Sequence, residues 1–138
     1  MAGNKFTIEP IGVVRSELVS REMAPLQGDE GAPEALLELN AAVAQGLSGI
    51  ATGDELIVLT WLHLAQRDVL QVHPRGRPEA MLKGVFATRS PDRPNPIGLH
   101  RVEVLEVQGL RLRVAPMEAI DGTPIVDVKP VLGKPYER

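Results

Sequence analysis

The sequence predicts a mostly β fold, a small single-domain β-barrel with one or two short helices. Two observations lead there: six or seven short runs of aliphatic and β-branched residues are punctuated by Gly and Pro turns, and helical patterning is scarce. A sheet of such short strands gains by closing on itself, because closure removes exposed edges. The length of 138 residues suits one domain with a buried core, and no repeat, low-complexity tract or linker divides it, so residues 1–138 are read as one unit.

Taken in order, residues 6–15, "FTIEPIGVVR", alternate as a strand, with Pro10 at an edge or bulge because it cannot donate to a ladder. Residues 16–33 mix charge, Gly and Pro without periodicity and read as a long loop, a kind of segment that is often functional. In "EALLELNAAVAQGL", Leu36, Leu39, Val43 and Leu47 fit a helical stripe. A strand through Leu37 and Leu39, followed by a helix from about Asn40 as N-cap, fits too and is the favoured reading. "GDELIVLTWLHLA" opens on Gly53-Asp54 and runs to Leu64 as a buried central strand. The turn-rich "HPRGRPEAMLKG" leads to a strand over 84–88. Strands over 99–107 and 110–115 meet at Gln108-Gly109, a tight hairpin in which Gly supplies positive φ. "DGTPIVDVKP" is a turn into a last strand, 125–129.

Composition excludes several functions. With no Cys there is no disulfide framework, thiol nucleophile or thiolate metal site. No apolar run is long enough to span a membrane and "MAGNKFTIEP" lacks a signal-peptide core, so a cytoplasmic protein is expected. G-x-G-x-x-G after a strand, the P-loop, H-E-x-x-H and G-x-S-x-G are all absent. His63, His73 and His100 are widely spaced without a supporting carboxylate pattern, so no metal is expected. Aromatics make up 3% of the chain, too few for a base-stacking platform. Net charge is −3, yet residues 66–101 carry +4 and the remainder −7.

That positive stretch surrounds the oddest piece of the chain, "RSPDRPNPIG". Each proline fixes its own φ and pushes Ser90, Arg93 and Asn95 toward extended conformations, so the loop is ordered before a ligand arrives. Arg89 and Arg93 offer guanidinium forks suited to a carboxylate or phosphate. A rigid crossover whose arginines pair with surface acids accounts for the same residues. Further on, Asp121-Gly122 is a turn opener, and Asp127 and Lys129 share one strand face as a salt-bridged pair or as part of a pocket floor.

"GVFATRSPDRPNPIGLHRVEV", with "IDGTPIVDVKP" and "APLQGDEG", resembles the TsaA-like family, also called TrmO or YaeB, from Ile11-Gly12 to Pro130. The resemblance implies a β-barrel methyltransferase that uses S-adenosyl-L-methionine without a Rossmann sheet, acts as a homodimer, and N6-methylates N6-threonylcarbamoyladenosine beside the anticodon of a transfer RNA. It also implies that Pro25, Leu26, Gln27, His63, Leu64, Arg89, Leu99, Glu118, Ala119, Ile120 and Asp121 hold the cofactor. Arg89 suits the cofactor carboxylate, and Glu118 or Asp121 its cationic or diol parts. Arg93, Asn95, Asp127 and Lys129 are the substrate-side candidates.

Methyl transfer from a sulfonium is an in-line displacement, helped by alignment and by exclusion of water. A nitrogen acceptor also has to lose a proton, and Asp121, Glu118 and His63 are the base candidates. Three departures from the family pattern stand out: Leu26 replaces a basic residue, Glu118 an aspartate and Val131 a tyrosine. A methyltransferase for a small molecule or another RNA, and a non-catalytic module that binds the cofactor, stay open beside the transfer-RNA reading.

Overall fold

The computed structural model describes residues 3–21, 32–74 and 77–133. The strands in chain order are β1 (Gly12–Arg15), β2 (Ala35–Leu39), β3 (Glu55–Trp61), β4 (Gln71–Val72), β5 (Lys83–Gly84), β6 (Ile97–Gln108), β7 (Arg111–Ala115) and β8 (Pro124–Pro130). Six of them close into a barrel in the order β1-β2-β7-β6-β3-β8, with every pairing antiparallel, while β4 and β5 form a separate two-stranded ribbon.

Alternation along each strand builds the interior. On β6, Gly98, His100, Val102 and Val104 point inward, whereas Ile97, Leu99, Arg101 and Glu103 stay exposed, the period of two that a half-buried strand requires. Val14, Leu37, Leu56, Val58, Val102, Val104, Leu112, Val114, Met117 and Ile125 meet in one apolar core, with Val43, Leu47 and Ile50 of the β2–β3 connection packed against it. Gly12 lies where β1 crosses β2 so closely that a Cβ would run into the Glu38 carbonyl oxygen and come within 3.0 Å of Leu39 Cα. No helix is long and apolar enough to cross a membrane among the described residues.

Several expected boundaries shift, each for a local reason. The first strand starts at Gly12, because Ile8 and Phe6 find no neighbour to pair with and stay exposed. The strand and helix around Asn40 are both present, but the helix is a 3-10 helix, Ala41–Leu47, with no buried residue. Asn40 does not cap it, since its side-chain amide donates instead to the Pro10 carbonyl at 3.1 Å. The strand expected over 84–88 is β5 followed by a second 3-10 turn, Val85–Ala87. The Arg93 guanidinium claims the Val85 and Thr88 carbonyls that a longer ladder would use. β3 ends at Trp61, and β6 begins two residues earlier than expected because Ile97 and Gly98 pair with Trp61 and Thr60.

Candidate functional site

A cleft of about 1050 Å³ opens where β6 parts from β7. β3 pairs with β6 from Ile97 to Glu103, but β7 joins β6 only from Glu103 onward. Leu62 N–H donates to the Pro96 carbonyl and Val104 N–H to the Asp54 carbonyl, so the even-numbered residues of β6 bond to β3. The N–H and C=O of Leu99 and Arg101 therefore point the other way, into the cleft, with no strand partner among the described residues. Exposed Leu64, Ile97 and Leu99 give this opening an apolar side. At its far end Arg101 pairs with Glu55, whose hydrogen bond and negative charge hold the guanidinium above its ordinary pKa.

The proline-rich loop forms one wall, and its order comes from its own polar groups as much as from proline. Arg93 donates to the carbonyls of Thr88 at 2.6 Å, Val85 at 2.7 Å and Ser90 at 2.8 Å. Asp92 Oδ1 accepts from the Gln66 N–H at 2.8 Å and from Arg21 at 3.0 Å. Arg67 stacks over Trp61, 5.1 Å from the ring centroid, and donates to the Pro94 carbonyl and to Asn95 Oδ1. The segment with net charge +4 thus spends Arg67, Arg93 and Arg101 on internal contacts. The side chains of Arg77, Lys83 and Arg89 make no hydrogen bond or ion pair with the described residues, and Arg89 is exposed on the cleft rim.

The opposite wall is residues 115–123. Met117 N–H donates to the Pro33 carbonyl, Asp121 N–H to Leu18, Gly122 N–H to Val14, and the buried Thr123 hydroxyl closes on the Ile120 carbonyl at 2.7 Å. Gly122 adopts φ 87°, which lets the chain reverse into β8. These anchors present Glu118, Ala119 and Ile120 to the cleft. At its floor Glu118 Oε1 lies 2.5 Å from His100 Nδ1, and His100 Nε2 lies 2.6 Å from Thr60 Oγ1.

The residues singled out in the sequence divide accordingly. His63, Leu64, Arg89, Leu99, Glu118, Ala119 and Ile120 all border the cleft. Asp121 faces a smaller depression beside Arg15, Ser16 and Arg113, accepting the Ser16 N–H at 3.1 Å. Arg93 lines the cleft with its fork already committed to three carbonyls, and Asn95 is bound to Arg67. Asp127 and Lys129 form a 3.1 Å ion pair on β8, opposite Leu59 and Ile57 of β3 and outside the cleft lining. Pro25, Leu26 and Gln27 lie outside the described residues. Sequence reading set His100 aside as one of three widely spaced histidines, and the signal it passed over was its inward place in the β6 alternation, opposite Val58 and two residues from the Gly98 that faces Thr60. Among the described residues no cluster of His, Asp and Glu has the makings of a metal site.

Barrel and cleft together define a small-ligand-binding β-barrel protein, whose cleft combines, among the described residues, an unpaired guanidinium, a bare strand edge and a half-buried carboxylate. A family model described as the tRNA-methyltransferase O N-terminal domain matches residues 13–135, and the chain belongs to that family. A probable S-adenosyl-L-methionine-binding protein of Methanothermobacter thermautotrophicus is 43% identical over 130 residues, covering 94% of this chain and 93% of the relative. An S-adenosyl-L-methionine-binding protein of Archaeoglobus fulgidus is 44% identical over 122 residues, covering 88% and 86%. The crystal structure of TrmO from Pseudomonas aeruginosa superposes with a TM-score of 0.75 at 29% identity over 97% of this chain. This chain spans 57% of the length of that solved one.

Proposed function

We propose that the protein binds S-adenosyl-L-methionine in the cleft and transfers its methyl group to N6-threonylcarbamoyladenosine in transfer RNA. The observation that carries the reading is the joint placement of Arg89, the unpaired Leu99 backbone and the 118–120 segment around one opening, in a chain of the tRNA-methyltransferase O family. The residues fit the group chemically. Arg89 offers a bidentate partner for its carboxylate, the Leu99 N–H and C=O can meet an adenine edge, and Leu64 and Ile97 supply the apolar slot. When bound, the cofactor supplies a methyl group on a cationic sulfur. The protein contributes alignment, a stiff loop that keeps water out and a carboxylate at the floor.

A homodimer belongs to the same proposal. Leu70, Met81, Leu82 and Phe86 are exposed between positions 66 and 88, with the exposed Leu64 before them and Ile97 and Leu99 after the proline-rich loop, and a second copy would cover them. Among the described residues of the 66–101 stretch, Arg77, Lys83 and Arg89 have side chains left to meet phosphates. A non-catalytic cofactor-binding module is the second reading, favoured by the names of the Methanothermobacter thermautotrophicus and Archaeoglobus fulgidus relatives, which mention binding alone.

Calorimetric titration with S-adenosyl-L-methionine, followed by nucleoside mass spectrometry of threonylcarbamoylated transfer RNA incubated with both, tests this. Saturable binding and a methylated nucleoside are expected. Binding without methylation supports the second reading, and no binding removes both.

A further inference from the structure

We propose that Thr60, His100 and Glu118 form an acid–base device at the cleft floor in which the Glu118 carboxylate takes a proton from the methyl acceptor and His100 is its positioning residue. The inference rests on the methyltransferase reading and narrows its substrate class. The accepting atom carries an N–H or O–H that must be given up, unlike a thioether or tertiary amine, which needs no base.

The trio is out of place on stability grounds. Thr60 is fully buried and His100 is 4% exposed, beside an apolar core that includes Val58, Val102, Val104, Met117 and Ile125. Apolar residues of similar volume would hold such an interior at least as well as a buried polar pair. The backbone also makes room for the trio: a Cβ at Gly98 would collide with Thr60 Oγ1 and lie 2.7 Å from His100 Nε2.

Hydrogen-bond chemistry sets its direction. An ionised carboxylate only accepts, so the bond to Glu118 requires a proton on His100 Nδ1, and in the neutral ring Nε2 accepts the Thr60 hydroxyl. β3 therefore offers the ring a non-titrating partner and the 115–123 segment offers Glu118. No other titratable group among the described residues bonds to it. With Oε1 held by His100, Glu118 Oε2 has no described partner, and the side chain, 15% exposed, lines the cleft. The other base candidates lack such support: Asp121 is tied to the Ser16 N–H in the second depression, and His63 is exposed.

In the step itself the acceptor N–H bond breaks, and its electron pair forms the bond to the methyl carbon. The carbon–sulfur pair stays on sulfur, and the proton moves to Glu118 Oε2. His100 keeps its Nδ1–H bond to Oε1 throughout, so the carboxyl neither turns nor leaves the cleft. The proton then passes to water through the mouth.

The test compares Glu118→Gln, His100→Asn, His100→Leu and Thr60→Val. Each is assayed for S-adenosyl-L-methionine binding by calorimetry and for methyl transfer to threonylcarbamoylated transfer RNA across pH. For Glu118→Gln, transfer at saturating S-adenosyl-L-methionine reduced at least about a hundred-fold is expected, the usual weight of a general base. Asn keeps an amide donor near the Nδ1 position, so His100→Asn should recover most of the activity that His100→Leu loses. Imidazole 15N spectra of the parent protein give a reading that no variant can spoil by misfolding. A proton on Nδ1 of His100 is expected, and a proton on Nε2 alone overturns the proposal. Unchanged transfer by Glu118→Gln at saturating cofactor overturns it while leaving the methyltransferase reading intact. A parent protein that binds no cofactor defeats that reading, and this proposal with it.

Discussion

Replacing Arg93 with Ala should destabilise the whole barrel, although the residue belongs to a surface loop. Its guanidinium donates to three main-chain carbonyls, Thr88, Val85 and Ser90, at 2.6–2.8 Å, and the side chain is half-buried. A hydrogen bond to a charged group contributes about 1.5–3 kcal/mol, and water that reaches the freed carbonyls recovers part of this, leaving about 1 kcal/mol each and about 3 kcal/mol in all. Unfolding entropy for a chain of 138 residues is about 0.3 kcal/mol/K, so Tm should fall by about 10 °C. Arg93→Lys should recover no more than about a third of that, because one ammonium cannot span carbonyls at three positions. Differential scanning calorimetry measures both. A drop below about 2 °C for Arg93→Ala would mean that the prolines alone hold the loop and that the guanidinium is incidental.

Arg89→Ala should show the opposite signature: stability unchanged within about 0.5 kcal/mol, as for exposed residues without special contacts, and cofactor affinity reduced by about 2–4 kcal/mol in a calorimetric titration. Gly98→Ala should destabilise by about 1–3 kcal/mol through overpacking against Thr60 and His100, measured by urea denaturation. Pairing it with Thr60→Ser should leave that loss in place, since the hydroxyl that the new methyl meets is retained. Asp121→Asn should cost under about 1 kcal/mol, because an amide oxygen can still accept the Ser16 N–H, and should leave cofactor binding untouched. A ten-fold loss of affinity in that variant would return Asp121 to the cleft.

Much of the architecture was legible because strand alternation is a local code. "IGLHRVEV" sorts its own residues into an inner and an outer face, and Gln108-Gly109 closes the hairpin to β7, with Gly109 at φ 60°. The 84–88 segment was misread because a short β-branched run carries no notice that a side chain from position 93 will take its carbonyls. The same ambiguity hid the role of Arg93. Sequence shows a cation in a cationic loop, and only the fold reveals whether it faces outward, as Arg89 does, or inward. His100 escaped notice because its partners come from positions 60 and 118, far apart in sequence and joined by barrel closure.

The bare backbone of Leu99 and Arg101 carries a cost when nothing occupies it. An unpaired strand edge is a template for another chain, and left open it invites end-to-end growth into fibres. Here Pro91, Pro94 and Pro96 precede that edge, Pro116 follows β7 on the facing wall, and charged Arg101 and Glu103 project beside it, so an incoming strand would meet kinks and charge within a residue or two. The features that shape a binding mouth also guard against polymerisation, and a flat small molecule can use donors and acceptors that a neighbouring polypeptide cannot.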